Sequence, residues 1–288
     1  CIIGLMTDVE HQIFKQGSTT YYWSAKFFPK SIRSDVFKLY SFVRVADDYV
    51  DSVPQQAGKF YALRAAWEAA AYDPSFDPTV QSADSTDERV VKNIIAVTRK
   101  YNFDRAWVAA FLDAMESDLS PAPYDTLDDT LHYVHRSAEI IGMMMSKIMG
   151  LPEAASEAAR LQGRAMQWIN FIRDIAEDNA MGRLYFPAED LKRFGLKDLQ
   201  EQTARRNPAA FQAFIWFQIE RYRVWQADAE AGYKYIPRCQ RLPIRAAADM
   251  YNWTAQEIVR DPLIVFSRRI KPRKGRVIRR ALRSIVRF

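Results

Sequence analysis

The chain has 288 residues, 49% of them hydrophobic and 26% charged, a balance that supports a packed globular core and excludes intrinsic disorder. Ten Gly and thirteen Pro are few for this length, which disfavours both a turn-rich β-sandwich or barrel and a Rossmann fold with its Gly-rich loops. The formal charge of +6 is unevenly placed. From Arg268 to Phe288 there are ten Lys or Arg and no acid, so the 267 residues before that tail sum to −4.

In chain order the sequence reads as helix after helix. Ser31, after Pro29, is placed to cap a helix running through Val50, with Val36, Leu39, Tyr40, Val43 and Ala46 as its apolar stripe. Helical patterns follow over 57–72, 86–101 and 104–119, with Asp104 as a cap. Thr126 opens a helix expected to reach about Met149, where Gly150-Leu-Pro152 punctuates. A long helix is then expected to about Asn179, another over 208–235 and one over 242–260. Alternating strand patterns, internal repeats and Ser/Gly linkers are absent from the sequence, so an all-α protein with one catalytic domain over 1–267 is expected, its site enclosed among facing helices.

Cys1 and Cys239 are too few for a disulfide framework, and His11, His132 and His135 are too few and badly spaced for a His-rich metal site. No apolar run approaches the ~18 residues of a membrane span. The N-terminal segment lacks the basic start and apolar core of a signal peptide, so a cytoplasmic protein, or one peripheral to a membrane, is expected.

Two segments carry the chemistry. In Arg44-Val-Ala-Asp47-Asp48-Tyr-Val-Asp51, Asp47 and Asp51 are one turn apart on one helix face. Like charges at that spacing repel, so a cation is expected between them. Acidic pairs on solvated helix faces are common, and this segment alone decides little. In the second segment Gln167, Asn170, Asp174 and Asp178 step by 3, 4 and 4 into one polar stripe, closely bordered by Trp168, Ile169, Phe171, Ile172 and Ile175. A face so thickly bordered by large apolar groups points to a cavity rather than bulk water. Two such stripes meeting across a bundle offer oxygen donors to hard cations, and Mg²⁺ usually completes its shell with water and substrate phosphate. The chemistry implied is departure of diphosphate from an allylic carbon, leaving a carbocation that needs a dry, apolar pocket.

With both stripes in view, the chain resembles the squalene/phytoene synthase family, whose members make head-to-head prenyl condensations, and is most similar to its phytoene-forming branch. Four motifs in order carry the resemblance, from Gly17 to about Lys274: Gly17-Ser18-Thr19-Thr20-Tyr21; Tyr40 to Asp51; Gln167 to Asp178 with Gly182-Arg183-Leu-Tyr-Phe-Pro187; and Tyr251 with Arg268. The resemblance implies an isoprenoid-synthase-type helical bundle around a central cavity. It implies that Asp47, Asp51, Asn170, Asp174 and Asp178 hold Mg²⁺, with Mn²⁺ as the alternative, and diphosphate. Ser18, Thr20, Tyr21, Arg44, Gln167, Arg173, Tyr251 and Arg268 would contact diphosphate or organise that network. Tyr40 would lie near the reacting carbons, and Arg183 begins a segment similar to the family's cap over the site. The sequence departs in Tyr133-Val-His135-Arg136-Ser-Ala-Glu139-Ile-Ile-Gly142, where many relatives have Tyr-Cys-Tyr-x-Val-Ala-Gly; His135 is expected on the substrate side there.

The implied substrates are two prenyl diphosphates: two C20 chains giving phytoene through a cyclopropyl diphosphate, or two C15 chains giving squalene or dehydrosqualene. NADPH is not expected. A non-catalytic assembly protein on this fold would have lost the aspartates, which this chain keeps. Met143, Met144, Met145 and Met149 read first as core packing, with the lining of a prenyl tunnel as the alternative. Phe42, Phe171, Trp168 and Tyr22 read equally as core or as walls that stabilise a cation. The segment 268–288 is a basic amphipathic tail, with Val277, Ile278, Ala281, Leu282 and Ile285 on one helical face and Arg279, Arg280, Arg283 and Arg287 around the rest. Peripheral contact with an anionic membrane is expected from it. Nucleic-acid binding would rest on the tail alone and is not expected.

Overall fold

A computed structural model describes residues 24–80, 85–268 and 270, so Ser18, Thr20, Tyr21, Tyr22 and the basic segment after Ile270 lie outside the described residues. Among the described residues there is no strand.

Helix α1 spans Lys30–Asp51 and buries Val36, Phe37, Leu39, Phe42, Ala46 and Val50. Its N-cap is Pro29, with extended backbone and no side-chain cap bond, so the helix opens one residue before Ser31 and the expected Ser31 cap is displaced into the first turn. Helices α2 (Ala57–Tyr72), α3 (Thr86–Tyr101) and α4 (Arg105–Ser117) follow. A Ser85–Glu88 capping box starts α3, and the Asp104 carboxylate accepts from the Ala106 amide at the start of α4.

The helix expected from Thr126 to Met149 is three pieces. Thr126 caps α5 (Leu127–Val134) in a capping box with Asp129, His135–Glu139 forms a wider π turn, and α6 covers Ile140–Ile148. The next expected helix also divides. Helix α7 (Ser156–Arg173) ends as Asp174 leaves helical geometry (φ −100°, ψ 13°), and α8 (Ile175–Ala180) resumes at once. Two short helices with no strong sequence signal, α9 (Ala188–Arg193) and α10 (Glu201–Arg206), precede the long α11 (Pro208–Ala231) and its 3₁₀ extension Gly232–Tyr235. Helix α12 (Arg238–Arg260) begins four residues earlier than expected and contains Pro243; α13 covers Ile264–Ser267.

Helix α7 is the hub, packed on α11, α6, the π turn and α12, while α1 packs on α3, α2 and α4. At the π turn the crossing is backbone on backbone. A Cβ built on Gly163 would lie 2.4 Å from the Ala138 carbonyl oxygen, and one on Gly142 would lie 2.2 Å from that of Ala159. This contact sets the spacing of α6 and α7, and its residues Ala138, Gly142, Ala159 and Gly163 border the central cavity. No helix among the described residues is long and apolar enough to cross a membrane.

Candidate active site

Helices α1, α7 and α8 bring the two acidic stripes to one cavity of about 900 Å³, near the upper end of the range for small-molecule sites. From α1 its wall receives Tyr40, Arg44, Asp47, Asp48 and Asp51; from α7 and α8, Gln167, Asn170, Arg173, Asp174 and Asp178. Arg183 enters from the loop after α8 and Tyr251 from α12. The residues bordering the second stripe, Trp168, Ile169, Phe171, Ile172 and Ile175, are buried, so the stripe faces a cavity because its neighbours consume the other faces of the helix.

The rest of the wall is hydrocarbon, from Val36, Leu39, Ile141, Met166, Ile236 and Ile244 among others. The methionines divide: Met145 and Met149 line the cavity, whereas Met144 is core and Met143 packs against it. The aromatics divide too, with Phe171 on the wall and Phe42 and Trp168 in the core.

Arginines hold the carboxylates. Arg44 bonds Asp47 at 2.6 Å and also Asp48; Arg173 grips Asp174 with two nitrogens at 2.7 and 2.5 Å; Arg183, only 3% exposed, reaches Asp51 at 2.5 Å and the Val50 carbonyl at 2.7 Å. Acid still outweighs base locally. Burial, and next the Asp51 charge, push the Asp47 carboxyl up to about 7. Burial, and next Asp174, push Asp178 well above the usual carboxylate range. Asp47 keeps a third of its side chain accessible, and that surface faces the cavity. Tyr40 is held as a neutral phenol chiefly by burial.

Two of the expected site residues do not lie on the cavity wall. The His135 imidazole Nδ1 lies 2.9 Å from the buried Glu139 carboxylate, which also binds Arg164 at 2.5 Å and approaches Arg160 at 3.4 Å. Glu139 thus engages the His135 ring, and His135 is not part of the cavity wall. Arg268 is exposed on extended backbone after α13 and is not part of the wall.

Three wall residues escaped the sequence reading. Asp118, which follows α4, is 4% exposed; its carboxylate accepts from Tyr133 at 2.7 Å and Tyr185 at 2.9 Å. Burial pushes its carboxyl up to about 6. An aspartate at a helix end reads as a solvated cap, and nothing local to it signals the site. Tyr133 and Tyr185 lay inside segments already singled out, but their partner did not.

Among the described residues no three His, Cys, Asp or Glu side chains are drawn together into a ready-made metal site. The donors that do gather are oxygens, suited to a hard cation. Asn170 Oδ1 is buried with no hydrogen-bond partner, and the acids around it repel one another. This donor set fits a divalent cation arriving with an anionic ligand.

The sequence model of the squalene/phytoene synthase family matches residues 14–276. The 15-cis-phytoene synthase of Synechococcus elongatus is 27% identical over 277 residues, covering 90% of this chain and 85% of its own. The presqualene diphosphate synthase of Rhodopseudomonas palustris is 33% identical over 193 residues, covering 65% of this chain and 64% of its own. Among solved structures, a dehydrosqualene synthase with bound ligand matches with a TM-score of 0.77 over 98% of this chain and 96% of its own; at 22% identity this is a likeness of fold.

Proposed function

The chain belongs to the squalene/phytoene synthase family and is a prenyltransferase, and from that premise we propose that it joins two geranylgeranyl diphosphates head to head into phytoene. The reaction passes through a cyclopropyl diphosphate and releases both diphosphates. The observation that carries this reading is the meeting of two aspartate stripes at one cavity whose remaining wall is hydrocarbon.

Asp47, Asp51, Asn170, Asp174 and Asp178 would hold Mg²⁺, or Mn²⁺ in its place. When bound, the metal neutralises charge on the departing diphosphate. Arg44, Arg173 and Arg183 hold Asp47, Asp174 and Asp51 in register and set positive charge beside them. Gln167 and Tyr251 complete the polar end of the wall, and Tyr40, half-buried and neutral, stands one helical turn from Arg44 on the approach to the apolar part. Below it, Met, Ile and Ala side chains exclude water from the carbon skeleton.

A second reading, two farnesyl diphosphates giving squalene or dehydrosqualene, is favoured by the names of the presqualene diphosphate relative and the dehydrosqualene synthase neighbour. Purified protein incubated with each labelled diphosphate and Mg²⁺, with and without NADPH, separates the two. The C20 substrate is expected to outperform C15, and NADPH to change neither rate nor product. Squalene formed only with NADPH would overturn the phytoene reading while leaving the family standing.

The basic tail gives the enzyme a place to meet the membrane into which a hydrocarbon product partitions. Each basic residue near anionic lipid is worth ~1 kcal/mol. Deleting Arg276 to Phe288 is expected to weaken sedimentation with anionic vesicles and to spare turnover of detergent-dispersed substrate. Unchanged vesicle binding would return the tail to a solvated role.

A further inference from the structure

The aromatic wall beside the carboxylates is organised by a residue that belongs to neither acidic stripe. Tyr185 stacks on Phe171 with ring centroids 4.3 Å apart and an interplanar angle of 10°, and Tyr133 lies against Tyr185 at 5.0 Å. All three rings border the cavity, and Tyr133 and Tyr185 are 2% and 7% exposed. Each phenol must place its O–H in surroundings that offer little water. One carboxylate takes both protons: Asp118 Oδ2 from Tyr133 and Oδ1 from Tyr185. The same residue's carbonyl accepts from Arg183 at 3.2 Å, and Arg183 in turn pairs with Asp51. Asp118 therefore joins the aromatic wall to the carboxylate end of the cavity.

We propose that Asp118 is a positioning residue of the condensation: by accepting both phenolic protons it locks Tyr133 and Tyr185 into a dry aromatic wall beside the carbon that ionises. The idea rests on the proposed prenyl condensation. An allylic carbocation is captured by any water within reach; water adds to the cation, a proton is lost, and a prenyl alcohol replaces the hydrocarbon. Without Asp118, the two buried hydroxyls need other acceptors, and water is the one at hand. With it, the ring faces stay fixed, and their negative quadrupoles favour positive charge nearby.

The test uses the full chain with labelled geranylgeranyl diphosphate, measuring kcat, KM and the partition of label between hydrocarbon and prenyl alcohol. Asp118→Leu orphans both phenols and Asp118→Asn leaves one oxygen acceptor. Both are expected to lower kcat for hydrocarbon, the Leu variant by about tenfold or more, to leave KM within about threefold, and to raise the alcohol fraction. The triple variant Asp118→Leu, Tyr133→Phe, Tyr185→Phe removes donors and acceptor together, an exchange that approaches neutrality when shape is kept. Its alcohol fraction is expected to fall back toward that of the wild type. A merely structural Asp118 would lower stability and rate without shifting the partition. An unchanged partition in Asp118→Asn, or a triple variant as leaky as Asp118→Leu, would overturn the proposal; if Asp118→Leu does not fold, Asp118→Asn and the triple variant decide it. A wild-type protein that consumes no prenyl diphosphate would sink the underlying function and this role with it, whereas normal wild-type turnover with unshifted variants sinks this role alone.

Discussion

Asp47→Asn and Asp174→Asn are each expected to lower turnover by orders of magnitude while the protein stays folded. Each substitution removes a charged oxygen from the set proposed to hold the cation and diphosphate, and electrostatic groups aimed at developing charge are worth about 10²–10³ apiece in rate. Stability moves the other way for Asp47. Its folded carboxyl titrates at about 7, above the 3.8 of an unperturbed Asp, so the unfolded chain releases that proton first as pH rises. The ionised carboxylate thus detracts from stability progressively from about pH 4 upward, and fully above about pH 7. Asn carries no such cost, and Arg44 keeps Asp48 as a partner. The melting temperature of the metal-free variant should match or exceed that of the wild type at pH 8, with the difference vanishing toward pH 4. Calorimetry alongside a turnover assay checks both halves. Full activity in either variant, or turnover undiminished in excess EDTA, would end the assignment of these aspartates.

Gly163→Ala should destabilise the protein substantially, against the helix-propensity rule. Alanine in place of a helical glycine ordinarily gains up to ~1 kcal/mol. Here the new Cβ would sit 2.4 Å from the Ala138 carbonyl oxygen and 3.0 Å from the Glu139 Cα, both backbone atoms that move only if the π turn and α7 separate. Overpacking of this kind costs about 1–3 kcal/mol, and because backbone must move here the cost falls at the upper end, a net loss of about 2 kcal/mol that lowers Tm by roughly 3–4 °C in a protein of this size. Separation would also shift Gln167 and Asn170, which lie on the same helix. Gly58 in α2 is the control: nothing lies within 4 Å of its Cβ position, and Gly58→Ala should leave Tm unchanged or slightly raised. Equal melting behaviour of the two variants would refute the close crossing.

The stripes were legible because they are local. Asp47 and Asp51, and likewise Gln167, Asn170, Asp174 and Asp178, share a helix face by arithmetic on 3.6 residues per turn, and bulky neighbours around the second set gave away the cavity. The irregularities were not. Asp174 closes α7 and the π turn splits the helix after Thr126, yet both segments carry uninterrupted helical patterns. His135 shows the limit at a single residue. Its neighbours in sequence place it beside a cavity wall, but its ring engages Glu139, which also meets Arg160 and Arg164, and it is not part of that wall.

By itself the sequence determined an all-helical chain, its punctuation by Pro and Gly, and which polar residues ride together on which helix. Those properties depend on side-chain periodicity and capping, interactions that span four residues or fewer. Tertiary structure decided which faces meet: that both stripes border one cavity, that Arg183 is held against Asp51, and that Asp118 draws Tyr133 and Tyr185 into the wall. The 65 to 67 positions separating Asp118 from its partners Arg183 and Tyr185 leave no periodic trace, because such contacts arise only when elements far apart in sequence pack together. Where α6 and α7 cross, Gly142 and Gly163 let backbone meet backbone at the cavity wall, a close approach that side-chain periodicity does not announce.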